Sequence, residues 1–139
     1  MSDAAGDDEH AEDSSDEAAV RVANRAFYDA FEARDLDAMS DVWEHTDRVT
    51  CTHPGWATLR GWGAVSGSWF ALFGGPSPLQ FILTDEVVSV AGDAAWVTVD
   101  ENLISVDGGG TVAAMNLFLR VERQWRLVAH HGSAVAPRS

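Results

Sequence analysis

From Ala18 to Arg34 the apolar positions Val20, Ala23, Phe27 and Phe31 recur every three or four residues, the spacing of one helix face. Asp35 then offers an N-cap for a second helix, Leu36 to about Glu44, with Leu36, Met39, Val42 and Trp43 turned inward. The period changes to two over Val49-Thr50-Cys51-Thr52-His53, a short strand stopped by Pro54-Gly55. Gly61 to Phe73 reads as a third, glycine-rich helix carrying Val65, Trp69 and Phe73, ended by Gly74-Gly75-Pro76.

The second half is strand-like. Leu79–Val90, Ala95–Val106, Thr111–Val121 and Gln124–Ser133 are β-branched or alternating runs. Ala91-Gly92-Asp93, Asp107-Gly108-Gly109-Gly110 and Glu122-Arg123 separate them and are short enough for hairpins. Helices first and an antiparallel meander afterwards predict an α+β domain, with the helices on one face of a mainly antiparallel sheet. No internal repeat is visible.

Charge changes the picture at the N-terminus. The 139 residues carry a net charge of −13, and eight of the 22 acids fall within residues 1–17 without a single base. That segment is expected to be a disordered acidic tail, solvated or used for interaction. Residues 18–135 are expected to form one domain and 136–139 a C-terminal tail. The 46% hydrophobic content is that of a globular chain, and no apolar run is long enough to span a membrane. No signal-peptide pattern opens the chain, and the lone Cys51 excludes an intrachain disulfide; both lead to the expectation of a cytoplasmic protein. All nine basic residues are arginine, and they form no stripe, which argues against nucleic-acid binding.

In this order and spacing, Phe27-Tyr28-Asp29-Ala30-Phe31, Asp35-Leu36-Asp37-Ala38-Met39, His53-Pro54, Gly92-Asp93-Ala94-Ala95-Trp96, Asn116-Leu117-Phe118 and Trp125 through Ser133 resemble the NTF2-like superfamily. The likeness is to its SnoaL-like, ketosteroid-isomerase-like branch and covers about residues 18–135. It implies a cone-shaped fold: helices on a strongly curved sheet that encloses one apolar pocket, with homodimer pairing through the outer sheet face. It does not fix the reaction, since the superfamily includes isomerases, cyclases, dehydratases and non-catalytic modules.

By that resemblance His53 takes the place of the general-base aspartate before a proline, and Asn116 that of an oxyanion-hole carboxylic acid. The oxyanion tyrosine falls near Phe27, with Tyr28 one residue off. A neutral imidazole accepts protons near neutrality, and an asparagine amide donates to a carbonyl or enolate oxygen. The pair suits proton abstraction next to a carbonyl; the structural alternative is that both side chains bond neighbouring backbone. On the last strand, matching to the superfamily turns Val128, His130 and Gly132 toward the pocket, and Trp125, Leu127, Ala129 and His131 outward. Glu101 shares the inward parity of Val97 and Val99, where His53 or His130 would pair it, or else it lies at an exposed rim. The candidate catalytic residues are thus His53, Asn116, His130 and Glu101, and the candidate substrate contacts are Tyr28, Trp43, Trp56, Trp69, Phe70 and Val128.

The aromatic candidates favour a small, flat, apolar or aromatic ligand, although tryptophans in such segments also serve as core packing. No cofactor is expected, because no phosphate-cradling glycine loop follows any strand. No metal is expected either: Cys51, His53 and His130 lack the usual ligand spacings. A second reading is a non-catalytic ligand-binding or assembly module, since Trp125 to Ser133 is also similar to the association domain of calmodulin-dependent kinases.

Overall fold

The computed structural model describes residues 3–76, 79–105 and 108–137, with side chains from Ser15 onward. Val106 and Asp107, expected at the end of a strand and in its turn, lie outside the described residues, as do Met1, Ser2, Arg138 and Ser139.

Helix α1 (Asp3–Ala33) begins well before the predicted Ala18. Its apolar face still starts at Val20, but two acids assigned to the N-terminal segment make ion pairs: Asp16 with Arg120 at 2.6 Å and Glu17 with Arg21 at 3.3 Å. The helix closes in a left-handed turn at Arg34 (φ 54), where Asp35 N–H reaches back to Ala30 O. Asp35 then caps α2 (Leu36–Val42) by accepting from Ala38 N–H at 3.0 Å. One residue therefore ends a helix and the next begins another, which fixes the angle between them.

Short strands β1 (Thr50–Thr52) and β2 (Leu59–Arg60) precede α3 (Trp62–Phe73). The long strands β3 (Gln80–Ala91), β4 (Ala94–Ile104), β5 (Thr111–Val121) and β6 (Gln124–Ala134) follow as a meander. All six join one curved, unclosed mixed sheet in the order β2-β1-β6-β5-β4-β3. Among the described residues the β1–β6 strand pairing is parallel, with Cys51 opposite His130, and the other strand pairings are antiparallel. The two-residue β2 carries too little alternation to be read from sequence.

The helices cover the concave face of the sheet. Ala95, Val97, Val99 and Glu101 of β4 and Val112, Ala114, Asn116 and Phe118 of β5 point into it, all buried. On β6 the expected parity fails midway. Leu117 pairs with Ala129 but Phe118 pairs with Leu127, so Val128 is an extra residue and the strand changes phase there. Leu127, expected outward, is consequently fully buried, and Trp125 lines a groove with Ala23, Ala38 and Val42 on the helix side. His130 and Gly132 point inward, while His131 is exposed. Among the described residues no helix is long and apolar enough to cross a membrane.

Candidate functional site

α1, β4, β5 and β6 bring Tyr28, Glu101, Asn116 and His130 into a single buried cluster. Tyr28 OH donates to Glu101 Oε2 at 2.7 Å. Asn116 Nδ2 donates to Asn24 Oδ1 at 2.9 Å and to Tyr28 OH at 3.2 Å, while its Oδ1 lies 2.6 Å from His130 Nδ1. Asn24 continues outward to Glu86 Oε2 at 3.1 Å, and Arg21 reaches Glu86 Oε1 at 2.7 Å. Glu101 therefore takes Tyr28 as its partner, rather than the His53 or His130 expected from parity.

His53 stands beside this cluster, against the same Trp69 ring that His130 approaches. It lies edge-on to Trp69 and Trp56, each centroid 4.8 Å away, and its ring is 6.4 Å from that of His130. Its Nε2 is 2.9 Å from Ser68 Oγ, whose own proton goes to Val65 O at 2.7 Å. The serine oxygen is then the acceptor, so Nε2 carries the imidazole hydrogen and Nδ1 the lone pair. Cys51 Sγ lies 3.6 Å from the same ring. Among the described residues no cluster of three or more His, Cys, Asp or Glu side chains is placed to hold a metal ion.

Burial sets the electrostatics. It lowers the His53 imidazole to about 4 and, with the neighbouring His53 and His131 charges adding a little, His130 to about 3. Both rings are consequently neutral at pH 7. Burial also pushes the Glu101 carboxyl up to about 7, against the Tyr28 hydrogen bond, which favours the ionised form. Tyr28 is held far above the ordinary phenol range, by burial first and by the Glu101 charge second. The interior thus holds two uncharged bases beside one carboxyl poised between its states at neutrality.

Aromatic rings fill much of the surrounding space. Phe27 packs at 5.0 Å from His130, and Phe31 and Phe81 at 5.2 Å from each other. Trp69 also borders a groove of about 410 Å³ between α2 and α3, with Phe70, Trp62 and Met39. Trp43 instead lines a separate groove with His45, Glu44 and Arg126, away from His53. Trp56 is partly exposed over His53, and Val128 is buried at the β6 bulge. Among the described residues the buried indole N–H groups of Trp43 and Trp69 meet no acceptor.

Asn24, Ser68 and Glu86 were not singled out from the sequence. Asn24 had a signal: it stands four residues after Val20 and three before Phe27, a polar side chain on the apolar stripe of α1. Glu86 had none, because its inward turn depends on an irregularity in β3.

The SnoaL-like domain family matches residues 20–137, which includes every residue of the cluster. The chain belongs to this family. A similar solved structure, a proposed dehydratase of the NTF2-like family from Streptomyces avermitilis, is 39% identical, with a TM-score of 0.81. That match covers 89% of this chain and 99% of the other. A proposed calcium/calmodulin-dependent protein kinase type II association domain from Thiobacillus denitrificans is 36% identical with a TM-score of 0.77, covering 84% and 94%. The F-box protein SKIP8 of Arabidopsis thaliana is 30% identical over 117 residues, 84% of this chain. The chain spans about half the length of that curated relative, 50% of it.

Proposed function

We propose that this SnoaL-like domain is a cofactor-independent acid–base catalyst of the isomerase, cyclase or dehydratase type, acting on a small apolar carbonyl compound. The observation that supports it most is the company Glu101 keeps. A carboxyl, a phenol and two neutral imidazoles are buried together, an arrangement that costs stability and that groups doing proton transfer require.

In this reading a neutral histidine takes a proton from the carbon next to the carbonyl, and protonated Glu101, backed by Tyr28, returns one to the oxygen or to a departing hydroxyl. Asn116 has both amide hydrogens engaged by Asn24 and Tyr28. The oxyanion-donor role expected for it is thereby replaced by an orienting one. Trp69 separates the α2–α3 groove from both histidines, so the ligand enters by displacement of the Trp69 and Phe70 side chains. The similar Streptomyces avermitilis protein, a proposed dehydratase, agrees with this chemistry.

A thermal-shift screen of flat cyclic enones and β-hydroxy ketones tests the proposal, since a bound ligand raises the melting temperature with its excess over Kd. A hit is expected to bind at least about tenfold more weakly to Glu101→Gln and to His130→Gln. Hits that bind both variants as tightly as the parent, or a screen without hits, would remove the catalytic reading.

Self-association is the second reading. The outer sheet face exposes Ile82, Val87, Trp96 and Met115, more apolar surface than a strand face turned to water usually carries. A second copy of this chain, paired sheet to sheet, is the proposed partner. The proposed association domain among the similar structures supports an assembly role of this kind.

A further inference from the structure

Glu86 reaches the interior only because β3 is irregular. Phe81 and Leu83 occupy the concave face, and an uninterrupted strand would next turn Asp85 inward. The pairing instead steps from Thr84 opposite Asp100 to Val87 opposite Thr98, so Asp85 and Glu86 together face Val99. Asp85 adopts φ 57, a left-handed conformation that a residue without a special reason avoids. The bulge reverses the phase of the strand, leaves Asp85 exposed and sends Glu86 toward α1.

A carboxylate can only accept hydrogen bonds. Glu86 therefore requires the amide nitrogen of Asn24, and Asn24 must turn its carbonyl oxygen to Asn116. Asn116 must in turn offer its nitrogen to Asn24 and its oxygen to His130. The last partner, His130 Nδ1, is then obliged to carry hydrogen. Reversing any link sets two donors or two acceptors face to face in a site where Asn24 and Asn116 are fully buried, which is costly. The half-exposed Arg21–Glu86 ion pair anchors the outer end.

We propose that Asn24 and Glu86 are positioning residues that hold His130 in its Nδ1–H tautomer and so place the basic lone pair on Nε2. The proposal rests on the reading of this cluster as the reacting site, and it names which nitrogen of which histidine takes the substrate's proton. The imposed tautomer is the opposite of the one that free histidine favours, so a directional constraint is needed to keep it.

The ring nitrogen shifts of His130 in the uniformly 15N-labelled full chain near neutral pH test this, with His130→Gln giving the assignment. Nδ1 is expected to be of the protonated, pyrrole type and Nε2 of the bare, pyridine type. In Asn24→Leu the Asn116 amide keeps only its longer 3.2 Å bond to Tyr28 OH to oppose turning over, and the Nε2–H form is expected to rise about tenfold relative to the parent. Glu86→Gln keeps the shape but can present either amide end; a smaller shift in the same direction is expected, and this variant serves if Asn24→Leu does not fold. A parent His130 protonated on Nε2, or an unchanged ratio in folded variants, overturns the inference. Once a substrate is known, the same variants are expected to lower kcat with KM retained. If the tautomer responds as expected while His130→Gln keeps full turnover, the relay stands and the proposed reaction falls.

Discussion

His53 and His130 show how much a single buried side chain can do to the pH response of this protein. The unfolded chain binds protons on both rings below about 6.5, while the folded state holds them neutral down to about 4 and about 3. More protons on the unfolded side mean that stability is full above about 6.5 and is lost as pH falls through that window. Glu101 acts in the opposite sense. Raised from 4.5 to about 7, it contributes most below 4.5, and that contribution fades as pH rises through about 7. With two histidines against one carboxyl, the protein is expected to lose stability steadily on acidification. His53→Gln removes one of the two, and its loss between neutral pH and about pH 4 should be smaller than the parent's by roughly 3 kcal/mol. Urea unfolding midpoints at several pH values check this; parallel curves for parent and variant would show that His53 is not desolvated as described.

Strand β5 coincides with the alternating run Thr111–Val121, and β3, β4 and β6 lie within a residue or two of theirs, because regular alternation on a half-buried sheet leaves a clear period. The signal failed wherever pairing rather than period decided the outcome. Val128 and the Asp85-Glu86 pair are bulges, and a bulge is a relation between two strands that neither strand writes alone. Matching the last strand to the superfamily therefore turns Trp125 and Leu127 outward where the bulge packs them inward, and no period marks Glu86. The partner of Glu101 was equally hidden: Tyr28 lies 73 residues away, and parity says which face a side chain takes but not what it meets there. Elements also constrain one another at Gly132 of β6. A Cβ there would stand 3.1 Å from Val112 Cγ1 and 3.3 Å from the Pro54 ring carbons. Gly132→Ala is expected to cost about 1–2 kcal/mol and to shift the His53-Pro54 segment. Denaturant unfolding, together with the His53 ring signals in an NMR spectrum, reads both effects; an unchanged midpoint would mean that Pro54 yields freely.

For the whole molecule the two faces of the sheet divide the work: the concave one holds the polar cluster and the outer one presents Trp96 and Met115. Trp96→Glu is expected to convert a two-copy species into a single-copy one in size-exclusion chromatography with light scattering, without moving the His130 signals. A parent that elutes as one copy at tens of micromolar would discard the pairing. Higher salt should favour pairing, because each copy carries a net charge of −13 and the repulsion is screened. Cys51 gives this architecture a practical handle. Its thiol is fully enclosed beside His53, and burial pushes it up to about 12, so the reactive thiolate is absent from the closed state at neutral pH. An alkylating reagent can mark it only during moments when the packing around β1 opens. The pace of that labelling is a built-in clock for breathing of the interior, and any compound lodged among the aromatic rings would slow it.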